Sequence, residues 1–136
     1  MAVGVVIVTH CDLGNEFLRA LKLIVPDVEG IRSISLDPAE KLEEMRGRIR
    51  AEIRSADESD GVLILTDMFG GTPSNVALSF HDEHHVEIVT GMNLPMLVKL
   101  ATLKDDKSLE ELATFIKEYG QRNISVASQI LPKDGA

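Results

Sequence analysis

The chain reads as an α/β protein, a mostly parallel sheet covered by helices on both faces, and three observations predict this. Short runs rich in Val and Ile alternate along the chain with longer segments whose apolar residues recur every three or four positions. The first run, Val3 to Thr9 (VGVVIVT), is continuous and β-branched, as a strand buried on both faces must be. Proline and glycine mark changes of period, as at Pro26, Asp37-Pro38 and Gly70-Gly71-Thr72-Pro73.

After the first strand, Phe17, Leu18, Leu21, Ile24 and Val25 line one face of a helix that ends before Pro26. Ile31 to Leu36 (IRSISL) alternates apolar and polar residues and predicts a second, less buried strand. Asp37-Pro38 is expected to open a charged helix over Ala39 to Arg54, with Leu42, Met45, Ile49 and Ile53 on its apolar face and a solvated outer face. The third strand, Val62 to Thr66, leads through a glycine turn to a helix from Pro73 to Phe80. Val86 to Thr90 is a fourth strand, followed by a short helix around Met96 to Thr102. Ser108 to Tyr119 predicts an amphipathic helix, with Ser108 and Glu111 spaced as a capping box. Ile124 to Ile130 (ISVASQI) alternates loosely and is expected as a short final strand, either at the sheet edge or paired with a second subunit.

With 136 residues and 44% hydrophobic composition, the chain supports one core, expected over residues 1–131 with a loose tail at 132–136. A net charge of −8 argues against a nucleic-acid partner held through its phosphates. Cys11, the one cysteine, has no partner for an internal disulfide, which fits a reducing compartment. The run Val3 to Val8 is too short to span a bilayer and lacks the pattern of a signal peptide, so a cytoplasmic location is expected.

The richest segment is Gly61 to Asn75 (GVLILTDMFGGTPSN), where an apolar strand runs into Asp67, two glycines and a helix start. Backbone N–H groups and the positive end of a helix dipole beside a carboxylate suit an anion, phosphate above all. The spacing is not that of a nucleotide loop and no Lys follows the glycines, so the phosphate is not expected to arrive on ATP. Ligands of open parallel sheets bind beyond the carboxyl ends of the strands, where strand order reverses. With the order 2-1-3-4, the first strand's His10 and the third strand's Asp67 are neighbours at that point. A carboxylate accepting from one ring N–H sets the tautomer and leaves the other nitrogen as a nucleophile toward phosphorus. The helix start behind Gly70, Gly71 and Thr72 is placed to stabilise the added charge.

His10 within VTHCDLG, the segment TDMFGGTPSN and Gly91 to Leu97 (GMNLPML) together resemble, in order and spacing, the mannose-family enzyme IIA domain of the bacterial phosphotransferase system. The resemblance spans the chain up to its tail. It implies that His10 takes a phosphoryl group from the phosphocarrier protein HPr and passes it to a histidine of a IIB protein, that Asp67 orients His10, and that Thr72 helps bind the phosphate. It implies a doubly wound sheet of four parallel strands whose fifth, antiparallel strand is exchanged between the subunits of a homodimer. Membrane IIC and IID components would be met only indirectly, and no cofactor is implied. Cys11 stands where the family usually carries Gly or Ser. Two other roles share the same residues: a regulatory module whose phosphorylation state is read by a partner, and a subunit of a dihydroxyacetone kinase system. GMNLPML leans toward the mannose branch.

Three further features invite chemistry. His81, His84 and His85 lie in a polar loop without a matching ligand pair, which favours a solvated loop over a metal site. Cys11 follows His10 directly, and adjacent residues of a strand face opposite ways, so a Cys–His dyad is not expected. Met68, Phe69, Met92 and Met96 are candidates for an apolar collar where a partner docks, with core packing as the alternative.

Overall fold

The computed structural model describes residues 3–132; the rest of the expected tail, residues 133–136, lies outside the described residues. Four parallel strands form the sheet: β1 (Gly4–His10), β2 (Ile31–Leu36), β3 (Val62–Thr66) and β4 (Val86–Thr90), in the order β2-β1-β3-β4. The helices are α1 (Leu13–Ile24), α2 (Leu42–Ala56), α3 (Thr72–Leu78), α4 (Leu94–Thr102), α5 (Leu109–Arg122) and the single turn α6 (Ala127–Ile130).

Alternation along β1 divides the core into two layers. Val6 and Val8 face α2 and α3, joining Ile34, Leu36, Met45, Ile49, Ile53, Ile64, Val76 and Phe80 in one cluster. Val5 and Ile7 face the other way, packing with Leu63 and Leu65 of β3 and with Leu21, Leu97, Leu109, Leu112 and Ile116 of α1, α4 and α5. Val62 to Thr66 are all buried, as expected of a strand covered on both sides. Each aliphatic side chain so buried contributes about 1.5–3 kcal/mol, so the sheet's interior is the main stabilising unit.

Two departures concern local chemistry. Asp37-Pro38 does not open α2. The Asp37 carboxylate accepts from the Ala39 N–H (2.9 Å) and its carbonyl from the Glu40 N–H (2.9 Å), closing a separate turn before the helix starts at Leu42. The expected fifth strand is also absent among the described residues. Ile124 to Val126 pair with no strand of this chain, and Ala127–Ile130 coil into one helical turn. Ser125, Ala127 and Ser128 offer little apolar area, and a strand without a partner edge gains no ladder bonds to offset its ordering. Ile124, Val126, Ile130 and Leu131 are left exposed.

Side-chain caps set the starts of α4 and α5. Ser108 and Glu111 form the expected capping box, Ser108 Oγ accepting from the Glu111 N–H and the Glu111 carboxylate from the Ser108 N–H. Asn93 caps α4 by accepting from the Met96 N–H, and its amide reaches the Gly120 carbonyl of α5.

At the start of α1, buried Thr9 Oγ1 accepts from the Gly14 N–H (2.8 Å), tying the helix to the carboxyl end of β1. A Cβ at Gly14 would lie 2.3 Å from Ser33 Oγ and 3.1 Å from Ile7 Cγ2, both inside the structure. Gly14→Ala should therefore lower stability by about 1–3 kcal/mol through overpacking, read as a fall in the urea midpoint at unchanged slope; an unchanged midpoint would show that α1 can lift off β2 without cost.

Candidate functional site

The site lies where β1 and β3 end side by side. Parallel pairing sets Val8 opposite Thr66, and continuing that register brings Asp67 opposite Thr9, one step behind His10. The Asp67 carboxylate therefore meets His10 twice through one oxygen: Oδ2 accepts from the His10 backbone N–H (2.9 Å) and lies 2.8 Å from the imidazole Nδ1. Its other oxygen, Oδ1, accepts from the Met68 N–H (3.0 Å). Next to an ionised carboxylate, Nδ1 carries the proton, so Nε2 presents its lone pair outward. The Asp67 side chain is 9% exposed and that of His10 46%, so the orienting group is covered and the ring is open to a large partner.

Burial pushes the Asp67 carboxyl up, but the hydrogen bonds from the His10 backbone and ring outweigh it, and the net direction is below the ordinary 3.8. A carboxylate lowered on folding adds stability above its unfolded value and loses it as pH falls through its folded one. The pairing is thus intact at neutral pH and fails only on the acid side.

The glycine turn completes the site. A Cβ at Gly71 would lie 2.6 Å from His10 Cε1 and 3.0 Å from Nε2, so the backbone of the turn packs on the reactive edge of the ring. Gly70 takes a positive φ of 93°, open to glycine at little cost. Thr72 opens α3 and is exposed, with Pro73 in the first turn. Behind the turn, the Thr66 carbonyl accepts from the N–H groups of Gly91 and Met92, so the loop opening GMNLPML is fastened to the strand that carries Asp67.

The candidate collar splits. Met68 (54% exposed) and Phe69 (70%) project from the β3–α3 loop, and Leu13 (44%) lies on the first turn of α1, which follows His10. Met92 and Met96 are buried at 7% and 3% and belong to the core with α5, which removes them from the docking surface. Their role was ambiguous in sequence because cores and interfaces use the same side chain.

Cys11 is exposed in a left-handed conformation (φ 47°), so its side chain is turned by the bend that starts α1 and not by strand alternation. The three loop histidines go three ways: His84 stacks on Phe80, His85 meets Glu110 at 3.2 Å, and His81 lies 3.5 Å from Asp82 and 3.6 Å from Glu87. Ser74, given no part in the sequence reading, is buried beneath the turn and bonded to both its peptide groups. A serine three residues after a glycine pair was the available signal.

Fold and site together define an α/β protein that presents a carboxylate-oriented histidine on an open surface at the switch point of its sheet. The EIIA-man family model, described as PTS system fructose IIA component, matches residues 4–117, and this chain belongs to that family. It is 32% identical over 126 residues to the mannose-specific EIIAB component of Escherichia coli (strain K12), covering 91% of this chain but 39% of that protein. It is 26% identical over 132 residues to the fructose-specific EIIA component of Bacillus subtilis (strain 168), covering 96% and 90% of the two. Among solved structures, the PTS IIA protein associated with the fucose utilization operon of Streptococcus pneumoniae superimposes with a TM-score of 0.79 at 29% identity over 95% of this chain and 98% of that one. The mannose/sorbose specific IIA subunit from Enterococcus faecalis shares the fold with a TM-score of 0.84 at 24% identity, over 93% and 95% of the two chains.

Two outcomes are expected. Wild-type protein should lose thermal stability as pH falls below about 4, and Asp67→Asn should show a smaller acid-side loss; identical pH profiles would show that the carboxylate carries no such linkage. Gly71→Ala should stay folded, since its φ of −94° suits any residue, but should displace the His10 ring, seen as a shift of its ring resonances in nitrogen-15 NMR.

Proposed function

We propose that this chain is a phosphocarrier: His10 accepts a phosphoryl group from a phosphorylated HPr-type protein and hands it to a histidine of a IIB protein. The observation that carries this reading is the 2.8 Å contact between His10 Nδ1 and Asp67, which leaves Nε2 as the attacking atom. In the step, the Nε2 lone pair attacks phosphorus, the donor's P–N bond breaks, and its electron pair returns to the donor imidazole. The Nδ1 proton stays against Asp67, which stabilises the positive charge the ring gains. Gly70, Gly71 and Thr72 are the groups we assign to the phosphate oxygens, through backbone N–H groups and the Thr72 hydroxyl.

The openness of the site supports a protein donor and acceptor, and Met68 and Phe69 are suited to bind them in turn. Nothing in the reaction calls for a cofactor, because the phosphoryl group arrives already activated. Sugar uptake and contact with membrane components would then be indirect, and a cytoplasmic location follows from the donor. Homodimerisation belongs to the same reading: the free edge of β4 and α5 border a groove of about 360 Å³. A second copy's exposed Ile124 to Leu131 segment is the occupant we assign to it. Residues 1–131 are proposed as the functional unit.

Incubation with phosphoenolpyruvate and the general phosphotransferase proteins should label the wild type in an acid-labile form. His10→Ala should take no label, and labelling that persists in it would overturn the assignment. Asp67→Asn should slow transfer roughly 10- to 100-fold, the range found when the hydrogen-bonding partner of a metal-bound histidine is lost.

A further inference from the structure

The glycine pair, whose Gly71 packs on the reactive ring, is also the least constrained part of the backbone. Gly70 is exposed and in the left-handed region, and Gly71, with no side chain, packs on the Cε1–Nε2 edge of His10. No side chain caps α3 at Gly71. The turn is instead closed from inside by one hydroxyl. Ser74 is 0% exposed; its Oγ accepts from the Gly70 N–H (3.0 Å) and donates to the Gly71 carbonyl (3.2 Å).

We infer that Ser74 is a positioning residue for phosphoryl transfer, a buried clasp that holds the Gly70-Gly71 turn at the distance from His10 Nε2 that in-line attack requires. It touches neither ring nor phosphate and acts through the two peptide groups it joins. The Gly71 carbonyl also accepts from the Asn75 N–H (3.0 Å), a bond that any helix-forming residue at position 74 would keep. The Gly70 N–H has Ser74 Oγ as its partner, so the hydroxyl is what draws the left-handed residue inward. Without it Gly70 turns to water and the turn relaxes over a ring packed so closely that Gly71 has no room even for a Cβ. Displacements approaching 1 Å in such sites cost up to about 100-fold in rate.

The inference rests on the proposed phosphocarrier function, and two readouts separate their failures. In Ser74→Ala, single-turnover phosphorylation by phospho-HPr should fall about 10-fold or more with the half-saturating donor concentration unchanged, because Met68 and Phe69 still form the docking surface. Independently of any phosphate, the His10 ring resonances of Ser74→Ala should broaden or shift in nitrogen-15 NMR. Ser79→Ala is the control: it removes a hydroxyl bonded to Arg46 and to the Val76 carbonyl at the far end of α3, and should change neither readout. If Ser74→Ala does not fold, Ser74→Cys, close in volume and a weaker hydrogen-bonding group, should show the same losses to a smaller degree. Wild-type rate and wild-type ring resonances in the Ser74 variant would overturn the inference, as would equal losses in Ser79→Ala, which would trace the effect to α3 stability. A wild type that takes no label would overturn the phosphocarrier reading, and the NMR comparison alone would then decide whether Ser74 positions the ring.

Discussion

Everything at this site depends on β1 and β3 being hydrogen-bonded neighbours although a strand and two helices separate them in the chain. Because the pairing is parallel, both strands deliver their carboxyl ends to the same edge, and because the register sets Val8 against Thr66, the two ends are level. A shift of one residue would swap the alternating side chains of β1 between the two core layers, where Ile7 and Val8 are fully buried against different helices. Core packing on two faces thus sets the distance between an imidazole and a carboxylate that lie outside the core. The carboxylate then takes over where the ladder stops, accepting the His10 backbone N–H as a strand carbonyl would.

The site is rigid where protons are held and bare where a partner must enter. Asp67 is covered and accepts three hydrogen bonds through its two oxygens, so the tautomer of His10 is dictated by groups that cannot easily move. The β3–α3 loop is fastened beneath, and its apolar Met68 and Phe69 are left to solvent. Exposed apolar side chains lose little by exchanging water for a partner, and Met and Phe adapt to more than one surface. A carrier that meets two partners in turn, the function proposed for this chain, needs that combination.

Much of this was legible in the linear chain. Four strands, their parallel arrangement and the major helices follow from hydrophobic period, because burial on one or two faces imposes a period whatever the partner is. His10 and Asp67 stood out because each closes an apolar run. Helix starts were less legible: Asp37 makes its own turn and Asn93 caps α4, since short polar side chains serve turn and cap alike. The segment expected as a last strand, Ile124 to Ile130, ends in a helical turn within the single chain, because strand formation depends on an available edge, which local composition does not report.

The sequence by itself determined which groups exist to do chemistry: a histidine, an acid, a glycine pair and a threonine, each placed at the end of a strand or the start of a helix. Only the tertiary structure decided what these groups are to one another. It put His10 Nδ1 within 2.8 Å of Asp67, laid Gly71 against the ring, closed the turn with Ser74, and drew Met92 and Met96 into the core while leaving Met68 and Phe69 outside. The physical reason is the same each time. Periodicity records whether a residue is buried, but a contact between residues 57 positions apart is set by strand order and register, which the whole core selects at once.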